Sequence, residues 1–298
     1  MNPELAWPGH SGNWKRWPND RGTLNLITPA AVLRGTGSVR LGEVIPCARP
    51  VAAAEPLEPV TLFRQEMTHV RDVPDACAVR TQSAADMLTF RVHNMVNTHI
   101  DALSHIGFDN RHYDGNAHAE VVTLREGAKR FDITSMLGIV TRGHLIDVAR
   151  GRGVAWLEPG ELVMPVDVAS RLDAVEPGDA VLIRTGATLT GGRHSPTDPR
   201  GIWSGLHPDT VELLARRDIG VLGADATEPG PSPVPDRCSR PIHVLCLVFY
   251  GLPIIHHLDL ERLAERCVEL GRTEMLLTVG ALNVPHATGS PVTPLCVL

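Results

Sequence analysis

The sequence predicts a single irregular α/β domain, and three observations carry that expectation. Apolar runs of strand length alternate with amphipathic helix patterns. The connections between them are long and rich in proline, with 24 prolines and 27 glycines in all, too many breaks for a regular doubly wound sheet. The chain has 298 residues, 43% of them hydrophobic, enough to enclose one sizeable core.

Taken in order, the strand candidates are Gly138-Ile139-Val140 running through Leu145-Ile146-Asp147-Val148, then Ala180 to Arg184, then Ile219 to Gly223. Each is rich in Val, Ile and Leu and is opened or closed by a Gly, Pro or Asp turn signal. Two helices are expected between and after them. His207 to Arg217 carries Pro208 in its first turn, and Asp259 to Leu270 has an Asp cap and Gly271 as its stop. The stretch Thr227 to Pro241 (TEPGPSPVPDRCSRP) excludes helix and central strand alike. It ends just before His243, so it either lines or covers a site or is an ordinary surface connection.

Composition removes several classes of function. Charged residues make up 21% of the chain and the formal net charge is -6, so no basic field exists to attract phosphate backbones and nucleic acid is not an expected partner. Residues 1–10 show neither a basic leader nor an apolar targeting core, and no apolar run reaches membrane-spanning length. A cytoplasmic location is the expectation. The six cysteines (Cys47, Cys77, Cys238, Cys246, Cys267, Cys296) form no CxxC or other tight pair, which points to reduced, mostly buried thiols.

Chemistry concentrates in His93-Asn94-Met95-Val96-Asn97-Thr98-His99-Ile100-Asp101-Ala102-Leu103-Ser104-His105. Imidazole and carboxylate are the side chains that most often bind divalent ions or move protons near neutral pH. If Thr89 to Asp101 is extended, then His93, Met95, Asn97, His99 and Asp101 share one face, and His99 and Asp101 can bind one ion together. Ligands from separate elements are then needed. His243 opens the apolar run Val244 to Tyr250, and His256-His257 follows Pro253-Ile254-Ile255. His69, His112, His118, His144, His194, His207 and His286 lack such grouping, and of these His112 and His118 are nearest along the chain.

With these residues in place, the chain resembles the cyclase-like metal-dependent hydrolases, a family that includes bacterial kynurenine formamidases, isatin hydrolases and proteins described as cyclases. The resemblance spans almost the whole chain. It is carried by Asp20 to Asn25, Thr98 to His105 followed by Tyr113-Asp114-Gly115, Arg142 to Val148, Pro177 to Gly186, Gly223-Ala224-Asp225, His243, and Gly289 to Pro294. It implies one domain of the swivelling β/β/α type over residues 1–298, with residues 1–60 as an N-terminal arm packing on the domain or between subunits. It also implies a homodimer or homotetramer, and one divalent ion, zinc or manganese. By the same mapping His99, Asp101 and His243 match metal ligands and His105 matches the acid/base histidine.

Two positions depart from the family pattern HxGTHxDxxxH. Met95 stands where the first ligand histidine belongs and Asn97 where the glycine belongs, and a thioether is a poor ligand for a hard or borderline cation. His93 is two residues earlier, about 6–7 Å away along a strand, and can substitute only through a shift or bulge. Further on, His256 occupies the position of a family glutamate. These losses argue against a two-metal centre and leave one ion on His99, Asp101 and His243, with His256 or His93 as fourth ligand, or no ion if the site is degenerate.

Three functions follow. The first is a metal-dependent hydrolase of a small cyclic amide or N-acyl substrate. The second is a cyclase, dehydratase or isomerase of a biosynthetic, secondary-metabolite intermediate with a weakened or absent metal, and the third a small-molecule binding protein without catalysis. Met95, Trp17 and Phe63 are the candidate substrate contacts, although only 4% of residues are aromatic.

Overall fold

The computed structural model describes residues 12–51, 63–73, 81–190, 202–235 and 238–298. Its centre is a curled nine-stranded sheet. In spatial order the strands are Val44–Pro46, Leu295–Val297, Glu274–Val279, Ile139–Asp147, Ala180–Arg184, Val221–Ala224, Ile254–His256, His99–Asp101 and Gly289–Pro291. The four strands from Ile139–Asp147 to Ile254–His256 pair in parallel, and the outer strands add antiparallel on both flanks. Ala180–Arg184 and Val221–Ala224 are buried along their whole length, as parallel strands covered on both faces must be.

The three predicted strands and two predicted helices are all present. His207 caps the helix Pro208–Arg216, its Nδ1 accepting the Asp209 N–H at 3.1 Å. The last helix, Glu261–Leu270, starts two residues after the expected cap, and Asp259 Oδ1 accepts the Glu261 N–H at 3.3 Å. Gly271 stops it with φ of 64°. Free thiols are found at Cys47, Cys238, Cys246, Cys267 and Cys296; Cys77 lies outside the described residues. Among the described residues no helix is long and apolar enough to cross a membrane.

The run Val244–Tyr250 forms a buried π-helix, consistent with a segment that is apolar all round. Residues of the N-terminal arm lie against its end: Asn13 N–H reaches Phe249 O at 3.0 Å, Trp14 Nε1 donates to Val248 O at 2.7 Å, and Thr23 N–H reaches Gly251 O at 2.8 Å. Gly251 ends the helix at φ of 56°, where a Cβ would sit 2.6 Å from the Tyr113 ring.

One expectation fails. Thr89 to Asp101 is not a continuous strand. The strand Thr81–Phe90 pairs with Phe63–Val73 as a hairpin, and the chain then turns before His99–Asp101. The cause is Asn94, whose Oδ1 accepts the Val96 and Asn97 N–H groups at 2.8 and 2.7 Å, a local bond that outcompetes ladder pairing.

Candidate metal centre

Asp101 is the hub of the site. It is completely buried at the end of the strand His99–Asp101, and five imidazoles face its two oxygens. His93 Nδ1 and His99 Nε2 lie 2.9 and 3.5 Å from Oδ1. His256 Nε2, His243 Nε2 and His105 Nε2 lie 3.0, 3.5 and 4.0 Å from Oδ2.

Each ring arrives by a separate structural route. Antiparallel pairing sets His256 opposite His99, with ring centroids 5.1 Å apart. The Asn94 turn folds His93 inward, and His93 stacks on His105 with centroids 3.4 Å apart and planes 7° from parallel. His243 comes from the short helix Pro241–His243 that precedes the buried π-helix. The turn therefore supplies the shift that a strand would have denied His93.

Hydrogen-bond partners separate four of the five rings. His99 Nδ1–H donates to Asn97 O at 2.8 Å, and a carbonyl only accepts. His243 Nδ1–H donates to Glu228 Oε2 at 2.6 Å, a carboxyl that also takes the Ile242 and His243 N–H groups. Both rings thus turn an Nε2 lone pair toward Asp101 at 3.5 Å, beyond hydrogen-bond length. His93 Nδ1 and His256 Nε2, at 2.9 and 3.0 Å, donate to the carboxylate instead.

Burial disfavours the charged form of three of these rings and of the neighbouring His257. It pushes His99 down to about 4 and His105 to about 3, and it also lowers His256 and His257. Burial works against the Asp101 charge, but the fields of His105 and His256 and the hydrogen bonds from His256 and His93 hold its carboxyl well below the usual range. Among the described residues no Lys or Arg forms an ion pair with Asp101.

This donor set fits a divalent cation. The His99 and His243 lone pairs face the two different oxygens of the Asp101 carboxylate, each with no proton between. Ligand atoms on a tetrahedral ion with bonds of about 2.0–2.2 Å are roughly 3.3–3.6 Å apart, which matches the 3.5 Å separations. His99, Asp101 and His256 form one compact group of potential ligands and His93, Asp101 and His105 another; His243 belongs to neither and stands beside them, 3.5 Å from Asp101 Oδ2.

The cluster forms the floor of a cavity of about 230 Å³. Met95 lines it, as do Arg91, Ile106, Trp203, Arg240 and His257. Trp17 and Phe63 do not: Trp17 packs beside the core with Arg16 over its ring, and Phe63 pairs with Phe90 in the hairpin. Hydrophobicity alone could not tell Trp203 from them. His112 and His118 bond to each other at 2.9 Å rather than entering the cavity. The tail reaches the site through Thr288, whose hydroxyl lies 2.8 Å from His93 Nε2, while His286 is exposed and bonds to Ala128 O. His194 lies outside the described residues.

Glu228 escaped the sequence reading, which paired His257 with His256 but gave it no role. Glu228 sits in the proline-rich loop, which does line the cavity through Thr227, Glu228 and Arg240. His257 is buried at φ of 54°, with its carbonyl accepting the Thr98 hydroxyl at 2.7 Å. The Gly223-Ala224-Asp225 motif serves the scaffold: buried Asp225 accepts N–H groups from Thr185, Gly186, Ala187 and Ala226.

The sequence model of the Cyclase family matches residues 36–230. The chain belongs to the Cyclase family. Among solved structures, one described as a novel cyclase is similar to this Cyclase-family chain at 25% identity and a TM-score of 0.82, covering 97% of this chain and 98% of its own. An isatin hydrolase bound to the product analogue thioisatinate is similar at 18% identity, TM-score 0.59, covering 91% and 99%. Isatin hydrolase A from Labrenzia aggregata, bound to benzyl benzoate, follows at 19% identity, TM-score 0.56, covering 89% and 96%. These last two share the fold. No curated protein matches the sequence.

Proposed function

We propose that this Cyclase-family member is a metal-dependent hydrolase of a small cyclic amide or N-acyl compound, with one zinc or manganese ion on His99, Asp101 and His243. The observation that carries this reading is that the His99 and His243 lone pairs, each fixed by a hydrogen bond at the opposite ring nitrogen, face the two oxygens of one buried carboxylate. His256 or His93 is the fourth ligand, released from its bond to Asp101. When bound, such an ion lowers the pKa of water toward 7 and polarises a carbonyl.

The protein's own residues supply the rest. His105 lines the cavity with a neutral ring, stacked on His93 and held facing the floor, and is placed to accept the proton of attacking water and return it to the leaving nitrogen. Trp203, Ile106 and Met95 form an apolar wall that excludes water. The cavity is of a size for a small molecule. We propose a homodimer or homotetramer, tested by light scattering.

The decisive measurement is elemental analysis of purified protein beside His99→Ala, followed by assay against cyclic amides and N-formyl amines with and without chelator. About one equivalent of metal that disappears in the variant, with chelator-sensitive turnover, supports the reading. Protein free of metal after metal-replete expression overturns it. Met95 at a ligand position favours the second reading, a cyclase, dehydratase or isomerase with a weakened metal site. That reading requires turnover that survives chelation and is lost in His105→Ala.

A further inference from the structure

We propose that Glu228 is the positioning residue that holds His243 in its metal-ligating form, so that the proline-rich loop sets the affinity of the centre. The inference rests on the metal reading above. A plainer role exists, since Glu228 accepts the Ile242 and His243 N–H groups at 3.3 and 3.1 Å and so secures the start of the short helix.

The geometry goes further than that role. The same Oε2 that takes the His243 N–H also takes its Nδ1–H at 2.6 Å, shorter than an ordinary N–H···O bond. That bond fixes the proton on Nδ1 and leaves the opposite nitrogen facing Asp101 Oδ2. A neutral imidazole has only one such proton, so without Glu228 the ring is free to change tautomer or rotate.

Glu228 sits on an anchored stretch of backbone. It is buried, and among the described residues no Arg or Lys forms an ion pair with it. Trp203 Nε1 donates to the Glu228 carbonyl at 2.7 Å. Two residues on, Gly230 lies so close to the Trp203 ring that a Cβ would stand 2.5 Å from it. A buried negative charge on one side of an imidazole makes the other side a stronger donor, and a cation there offsets that charge in return.

The test uses the full chain and the metals alone: Zn²⁺ and Mn²⁺ affinity by chelator competition for wild type, Glu228→Gln, Glu228→Asp and His243→Ala. Glu228→Gln keeps the volume and an acceptor for the helix start but removes the charge. We expect it to weaken binding by about 10–100-fold, to shift the visible bands of the Co²⁺-loaded protein, and to lower melting of the metal-free protein modestly, because the amide NH₂ must face either the Ile242 N–H or the His243 donors. Glu228→Asp should recover part of the affinity. Glu228→Gln binding within twofold of wild type with an unaltered Co²⁺ spectrum overturns the inference while the metal reading stands. A change in melting temperature alone assigns Glu228 to the helix start and overturns it too. Wild type that binds neither metal removes the metal reading and the inference together.

Discussion

Replacing Asp101 by asparagine separates a metal ligand from a structural hub. In the metal-free protein the carboxylate accepts from His93 at 2.9 Å and His256 at 3.0 Å, bonds worth about 1.5–3 kcal/mol each because the acceptor is charged. The amide keeps one acceptor and turns its NH₂ toward the His99 or His243 lone pair, 3.5 Å away. One bond is lost, at least one is gained, and a buried charge disappears. Metal-free stability should therefore stay within about 2 kcal/mol of wild type. The two proteins should part on metal addition. At 1,000 times Kd a ligand stabilises the folded state by about 4 kcal/mol, which raises the melting temperature by roughly 8–16 °C at about 2–4 °C per kcal/mol. The Asp101→Asn variant should show none of that rise. The assay is calorimetric melting of both proteins with chelator and with excess Zn²⁺ or Mn²⁺. Metal-free Asp101→Asn destabilised by more than about 3 kcal/mol, with wild-type melting indifferent to metal, would refute the reasoning and make Asp101 a structural hub.

Three further outcomes are expected. His105→Ala should lower kcat by about 10²–10⁴-fold while metal content, read by elemental analysis, stays at the wild-type level. Gly289→Ala would place a Cβ 2.6 Å from His93 Cε1 and 2.7 Å from Ile100 O. It should cost about 1–3 kcal/mol by overpacking, and it should weaken metal binding if His93 is the fourth ligand, read by melting and chelator competition. Asp179 is buried and bonded to His144, Arg142 and the Glu176 N–H. Burial alone would raise its pKa, but these bonds hold it below the usual carboxylate value. A depressed folded-state pKa gives stability that is present above the unfolded value and lost as pH falls through the folded one. Asp179→Asn should cost about 3–5 kcal/mol at neutral pH and flatten the acid limb of stability, measured by urea unfolding from neutral pH down to about pH 3.

Much of the scaffold was legible because it depends on local chemistry. The buried strands announce themselves as unbroken Val, Ile and Leu runs, and the helix Pro208–Arg216 by proline in its first turn. His99, Asp101 and His105 were legible because a single short segment carries them. The hairpin of Phe63–Val73 and Thr81–Phe90 was not, since its exposed faces lack a clear apolar period; Met67, Val70, Met87 and Leu88 are all exposed. The segment from Arg91 to Thr98 was misread for another reason: periodicity cannot register that one asparagine closes a turn on its own backbone.

The sequence by itself determined the α/β class and the histidine and aspartate make-up of the cluster, because these are properties of residue identity and local pattern. Only the tertiary structure decided which histidines meet. Register puts His256 beside His99, the Asn94 turn delivers His93, and a loop far along the chain from Asp101 supplies Glu228 to fix the His243 tautomer. The physical reason is that hydrogen-bond direction and the choice of protonated nitrogen are set by partners far away in the chain, and spacing along a sequence carries no record of them.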